Sequence, residues 1–107
     1  RIVSKSTVYI VQKPDPKKNI ISAQDYGDFS FILDDKSPNI TWNPDDVVRI
    51  IRHSLRGFND EDFLLPIGDP AAIGVCTAVA AEYNQGRVKF LKWDNRQYKY
   101  YPLEVTI

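Results

Sequence analysis

Methionine is absent from this chain, and cysteine and histidine occur once each, as Cys76 and His53. A lone cysteine excludes an intramolecular disulfide, and with one histidine beside it there is no zinc-ligand set. Net charge is missing as well, since 14 basic residues balance 14 acidic ones. Such a balance gives no general attraction to DNA, RNA or anionic lipid, so polyanion binding would need a local patch. No apolar run approaches the ~18 residues of a membrane-spanning helix, and no membrane contact is expected. Repeats and low-complexity runs are lacking, and no signal peptide is visible. The chain starts at Arg1 without a methionine, which leaves open whether it lacks its native N-terminus. The cytoplasm is the expected location.

What is present reads as one domain spanning residues 1–107, large enough for a single core without staples. Arg1 to Ser6 is polar and expected to be flexible. Thr7 to Gln12 is β-branched and aromatic, a buried strand. Asp15 before Pro16 is a cap-and-first-turn pair, which predicts a helix running to about Tyr26 and stopped by Gly27. Asp28 to Leu33 is the second strand. Asn43, Pro44, Asp45 and Asp46 then open a helix in which Val47, Ile50, Ile51, Leu55 and Phe58 keep helical spacing. Arg49, Arg52, His53 and Arg56 lie outside that stripe, so His53 reads as a surface residue, and no Ser-His-Asp or Cys-His arrangement forms.

Phe63 to Ile67 reads as a third strand, against which Pro66 is an objection, since proline lacks the N–H a central strand needs and fits only at the strand's exit or beside a bulge. Gly68, Asp69 and Pro70 follow: a tight turn, an N-cap and a first-turn proline. The helix behind them, Ala71 to Tyr83, has only Thr77 and Glu82 as polar residues. A helix apolar all round must be covered on more than one side. Gly74, Ala78 and Ala81 would let another backbone approach; the cover comes either from the neighbouring helix or from a second subunit, and the second, a homo-oligomer, is the expectation. Arg87 to Trp93 is a strand, Asp94 to Gln97 a turn, and Tyr98 to Ile107 a returning strand. The order predicts a three-layer α/β fold. Its mostly parallel sheet of about five strands has helices on both faces and an antiparallel C-terminal edge hairpin.

Four kinds of site can be read from this arrangement. In a doubly wound sheet the strand C-termini share one edge, where a crevice can hold a small molecule or nucleotide. That edge would gather Lys13, Asp15, Gly68, Asp69, Trp93 and Asp94, with Asp34 and Asp35 nearby. Gly-Asp-Pro lacks the several glycines of a phosphate-cradling loop, however, and Asp69 would repel a phosphate. A second reading, acid–base or metal chemistry on Asp34, Asp35, Asp69 and Asp94, depends wholly on the topology; solvated loop aspartates are the rule, and neither metal nor cofactor is expected. Basic residues in the final hairpin (Arg87, Lys89, Lys92, Arg96, Lys99) alternate with Trp93, Tyr98, Tyr100 and Tyr101. That pattern suits single-stranded nucleic acid, but it equally suits an edge hairpin guarded by lysines, and nucleic acid is not expected. Finally, the apolar helix and the aromatic hairpin fit a protein-binding module, with Gly74, Ala78, Ala81, Tyr98, Tyr100 and Tyr101 as its interface.

The segment Asp62 to Gly74, with its Gly-Asp-Pro-Ala-Ala-Ile run, and the segment Val88 to Asp94, with Leu-Lys-Trp-Asp, carry a resemblance. The chain resembles small proteins encoded by tailed bacteriophages, over about its C-terminal half and with weaker echoes near Tyr26 and Gly27. The resemblance implies a viral origin and a place in the host cytoplasm, and it transfers no catalytic residue. A similar Gly-Asp-Pro turn occurs in tetrapyrrole-methylase-type enzymes, but this chain is too short for that family and lacks its other loops. The resulting expectation is a non-enzymatic phage-type protein that contacts a host or phage protein. The alternative is a small-molecule or nucleotide-binding domain using the strand-end crevice.

Overall fold

The computed structural model describes residues 6–107. Five strands, β1 (Thr7–Gln12), β2 (Asp28–Leu33), β3 (Phe63–Leu65), β4 (Arg87–Asp94) and β5 (Lys99–Thr106), form one sheet in the order β2-β1-β3-β4-β5. The first four pair in parallel and β4 pairs with β5 antiparallel. This is the α/β sheet with a C-terminal edge hairpin that the sequence predicts. The expected flexibility of residues 1–6 lies outside the described residues except at Ser6. The Ser6 carbonyl accepts the Asp28 N–H at 3.1 Å, tying β1 to β2.

Strand order decides the layers. The connection from β1 to β2 steps one way across the sheet, whereas those from β2 to β3 and from β3 to β4 step the other way. Right-handed crossovers therefore place α1 (Pro44–Ser54) and α2 (Pro70–Tyr83) on one face. The opposite face receives only a six-residue 3-10 helix, Ile21–Tyr26. Two cores follow. Val11, Leu64 and Val88 pack under the α-helices with Val47, Ile51, Leu55, Cys76 and Val79. Val8, Ile10, Leu65 and Leu91 pack under the 3-10 helix with Ile20 and Ala23.

The first α-helix behaves as its spacing predicts: Val47, Ile51, Leu55 and Phe58 are buried and Ile50 is half-buried. Each such side chain contributes roughly 1.5–3 kcal/mol on burial. Asn43 holds the cap position but makes no side-chain capping bond. Asn39 closes that entry turn instead. Its carbonyl accepts the N–H groups of Trp42 and Asn43, and its side chain accepts the Thr41 N–H at 2.8 Å. Glu82 of α2 reaches back to Arg52 at 2.7 Å, so the neighbouring helix covers one flank of α2. The outward stripe is left open: Gly74 and Ala78 are exposed, Ala81 is half-buried, and a side chain built at Gly74 meets nothing within 4 Å.

The helix expected over residues 16–26 is corrected to a turn followed by the shorter 3-10 helix. Asp15 Oδ1 accepts the Lys17 N–H and its carbonyl accepts the Lys18 N–H, which completes a turn and goes no further. Asn19 restarts the chain by accepting the Ile21 N–H at 3.0 Å. Pro16, Lys17, Lys18 and Asn19 offer nothing apolar to bury, and a helix without a packed stripe is marginal at this length. Gly27 does act as the stop, donating its N–H to Gln24. A side chain there would run into the Ser6 carbonyl.

Pro66 falls just beyond the three residues of β3, which removes the objection that proline poses to a central strand. At the far edge, the Ile107 N–H bonded to Gly86 sets the pairing parity of the hairpin. Pro102 then occupies a position whose N–H would point away from β4, so it blunts the open edge of β5. Tyr100 shares that parity, and its carbonyl accepts the Tyr26 hydroxyl at 2.9 Å. The 3-10 helix is thereby fastened to β5.

Two predictions arise from α2. Burial pushes the Cys76 thiol up to about 12, so a thiol reagent should label this protein only once it is unfolded. Fast labelling under native conditions would contradict that. The helix ends with Gly86 N–H on the Ala81 carbonyl at 2.7 Å and Gln85 in the left-handed region at φ 58°. Gln85→Gly should raise stability by about 0.5–1 kcal/mol in urea unfolding, since glycine bears that conformation without steric cost.

Candidate functional site

At the strand carboxyl ends, Asp69 caps α2 as its chemistry predicts: Oδ1 accepts from Ala71 N at 2.8 Å and Ala72 N at 3.3 Å. The crevice that this strand order opens between β1 and β3 is filled from within. Gln12 donates its N–H to the Ile67 carbonyl at 3.0 Å, and its side-chain oxygen accepts the Asp69 N–H at 2.9 Å. The first amides of the helix are thus already engaged.

The residues expected to share this edge separate onto two sides of the sheet. Lys13, Asp34, Asp35 and Asp69 line a small cleft of about 220 Å³ on the α-helical side. Trp93 lies on the other face. Asp94 and Asp15 serve local turns, with Asp94 accepting from Arg96 N at 2.8 Å and Asp15 from Lys17 N at 2.9 Å. Asp34 likewise holds the Lys36 N–H at 2.9 Å. Among the described residues no group of three or more His, Cys, Asp or Glu side chains is placed to hold a metal ion. The basic residues are dispersed as well. Arg49 pairs with Asp46, Arg52 with Glu82 and Arg87 with Asp60. Lys89 Nζ donates to the Asp60 carbonyl at 2.9 Å and sits over the Phe63 ring.

The opposite face holds a larger feature. A six-residue 3-10 helix cannot cover the sheet, and beside it a groove of about 850 Å³ opens over β3, β4 and the start of β5. Leu65, Ile67 and Leu91 form its floor, Ile21 and Ser22 one wall, and Trp93, Tyr98 and Tyr100 the other. The aromatic wall is braced. Trp93 meets Tyr100 edge-on with centroids 4.9 Å apart and Tyr98 at 6.4 Å, and its indole N–H donates to Asn95 Oδ1 at 2.7 Å. Tyr98 is held in the left-handed region at φ 53° with its N–H on the Asp94 carbonyl.

Of the three tyrosines expected at an interface, Tyr98 is 77% exposed, Tyr101 is partly exposed, and Tyr100 is buried. That burial raises the Tyr100 phenol above its usual range. Tyr101 stands on the other side of the hairpin, opposite Lys92 in the register and beneath the Lys99 ammonium. Two exposed apolar residues were not among the expected site residues: Ile21, 68% exposed at the groove, and Trp42, 79% exposed in the turn entering α1. Because α1 begins where the β2 exit loop ends, Trp42 lies at the same carboxyl end of the sheet as Trp93 and Tyr98. A tryptophan in a polar, turn-forming run was the available signal.

Comparison with protein families matches residues 6–107 to the phage Pam3 gp32-like protein. The chain belongs to that family. The match covers nearly the whole sequence, so a phage protein family is shown for the chain over residues 6–107. Compared with curated proteins and with solved structures, the chain matches none. Among the described residues, no helix of this family member is long and apolar enough to cross a membrane.

Proposed function

We propose that this phage protein is a non-enzymatic binding module acting in the host cytoplasm, and that it contacts a host or phage protein through the carboxyl end of its sheet. One observation carries the reading: Trp93, Tyr98 and Ile21 present exposed apolar surface around one apolar groove at that end, and Trp42 is exposed at the same end of the sheet, at the entry to α1. Tryptophan and tyrosine dominate binding hot spots because they offer large, stiff contact area at little entropic cost. The competing reading, a nucleotide-like ligand at the strand crossover, has less support because Gln12 occupies that crevice and Asp69 the helix amides.

The test is a pull-down from infected bacterial lysate with wild type and with a Trp42→Ala/Trp93→Ala double variant. A protein retained by the first and lost by the second, with the variant's circular dichroism unchanged, supports the reading. Undiminished retention contradicts it. Self-association through Gly74, Ala78 and Ala81 is a separate proposal, which a strict monomer in light scattering at high micromolar concentration would remove.

A further inference from the structure

We infer that the groove receives an acidic segment bearing aromatic or aliphatic side chains, supplied by the partner protein; this rests on the protein-binding reading above. No carboxylate lines the groove. Its mouth carries Lys18 and Asn19. Asn19 spends its side-chain oxygen on the Ile21 N–H, which leaves its amide N–H groups to donate outward. Lys18 has no carboxylate within ion-pair distance among the described residues. Asp15, the acidic residue of the same loop, turns one carboxylate oxygen to the Lys17 N–H and does not line the groove. Lys18 therefore offers positive charge and Asn19 neutral N–H donors, and an occupant that satisfies both brings acceptors and negative charge.

Deeper in, the chemistry changes. Leu65, Ile67 and Leu91 are apolar, and the Trp93 indole N–H is already satisfied by Asn95, so that ring offers only its apolar surface. Lys92 also borders the groove. Strand alternation turns its side chain to the other face, since Leu91 packs into the 3-10 helix core and Trp93 stacks on Tyr100. A single lysine on an otherwise neutral floor is too little for a phosphodiester chain, which needs several cations along its track. A carboxylate next to a ring or branched aliphatic satisfies both parts of the groove.

Three ten-residue fluorescein-labelled peptides test this on the intact protein: one alternating aspartate with phenylalanine, one with lysine in place of aspartate, and one with serine in place of phenylalanine. Anisotropy should show the aspartate–phenylalanine peptide binding at least tenfold more tightly than either control. Lys18→Glu should reverse the preference between the two charged peptides. Ile21→Glu, at an exposed position whose change leaves the fold intact, should weaken binding at least tenfold. Equal affinity for all three peptides, or a preference that survives Lys18→Glu, would overturn the proposal. So would tighter binding of a labelled ten-nucleotide thymidine strand that Ile21→Glu abolishes. If the lysate partner is still captured in a Trp42- and Trp93-dependent way while the acidic peptide neither binds nor competes, only the occupant's chemistry is wrong. Loss of both results removes the binding reading itself.

Discussion

Leu64→Ala should lower the unfolding free energy by about 2–5 kcal/mol, read as a shift of the urea midpoint with little change in slope. Leu64 is fully buried in the short central strand, paired with Tyr9 of β1 on one side and Phe90 of β4 on the other. Its side chain belongs to the core beneath α1 and α2, among Val11, Val47, Ile51 and Cys76. Strands on both sides and helices above leave the site little freedom to collapse, so the cavity adds to the lost transfer energy. Ile21→Ala is the matching control. Ile21 is exposed in the groove wall, and its loss should change stability by no more than about 0.5 kcal/mol. A Leu64→Ala effect as small as that of the control would mean that β3 is not the centre of the core.

Gly68→Ala should cost on the order of 2–4 kcal/mol, combining a backbone conformation hostile to side chains with overpacking. Gly68 has φ +130°, and a Cβ placed there would lie 2.5 Å from both Cβ and Oε1 of Gln12. Relief would require moving Gln12, which would break its bond to the Asp69 N–H and disturb the entry to α2. Combining the change with Gln12→Ala gives a sharper check. Truncation clears the amide but leaves the Gln12 Cβ in the way, so it should recover less than half of the loss. Full recovery would show that the amide alone closes the crevice; no recovery would place the cost in the backbone conformation and the Gln12 Cβ contact.

Much of this was legible in local chemistry. The Asp69-Pro70 start of α2, the four-residue spacing of Val47, Ile51 and Leu55, and the placement of Pro66 outside β3 each follow from rules acting over a few residues. Where local signals competed, the reading failed. Asp15-Pro16 looks like a helix start, yet the next residues have no apolar stripe, and only a turn forms. Asn43 looks like a cap, but Asn39 claims the backbone groups of that turn.

The sequence by itself determined the order of the five strands and two α-helices and the mostly parallel sheet with its antiparallel edge, because periodicity, caps and connection lengths are encoded within a dozen residues. Only the tertiary structure decided where a groove opens and which crevice is closed. Gln12 closes the expected crevice through a contact 57 residues away in the chain. The groove is assembled from residues 18–22, 65–67 and 91–100, which no local pattern links. It exists because right-handed crossovers send both α-helices to one face and leave the other to six residues of 3-10 helix.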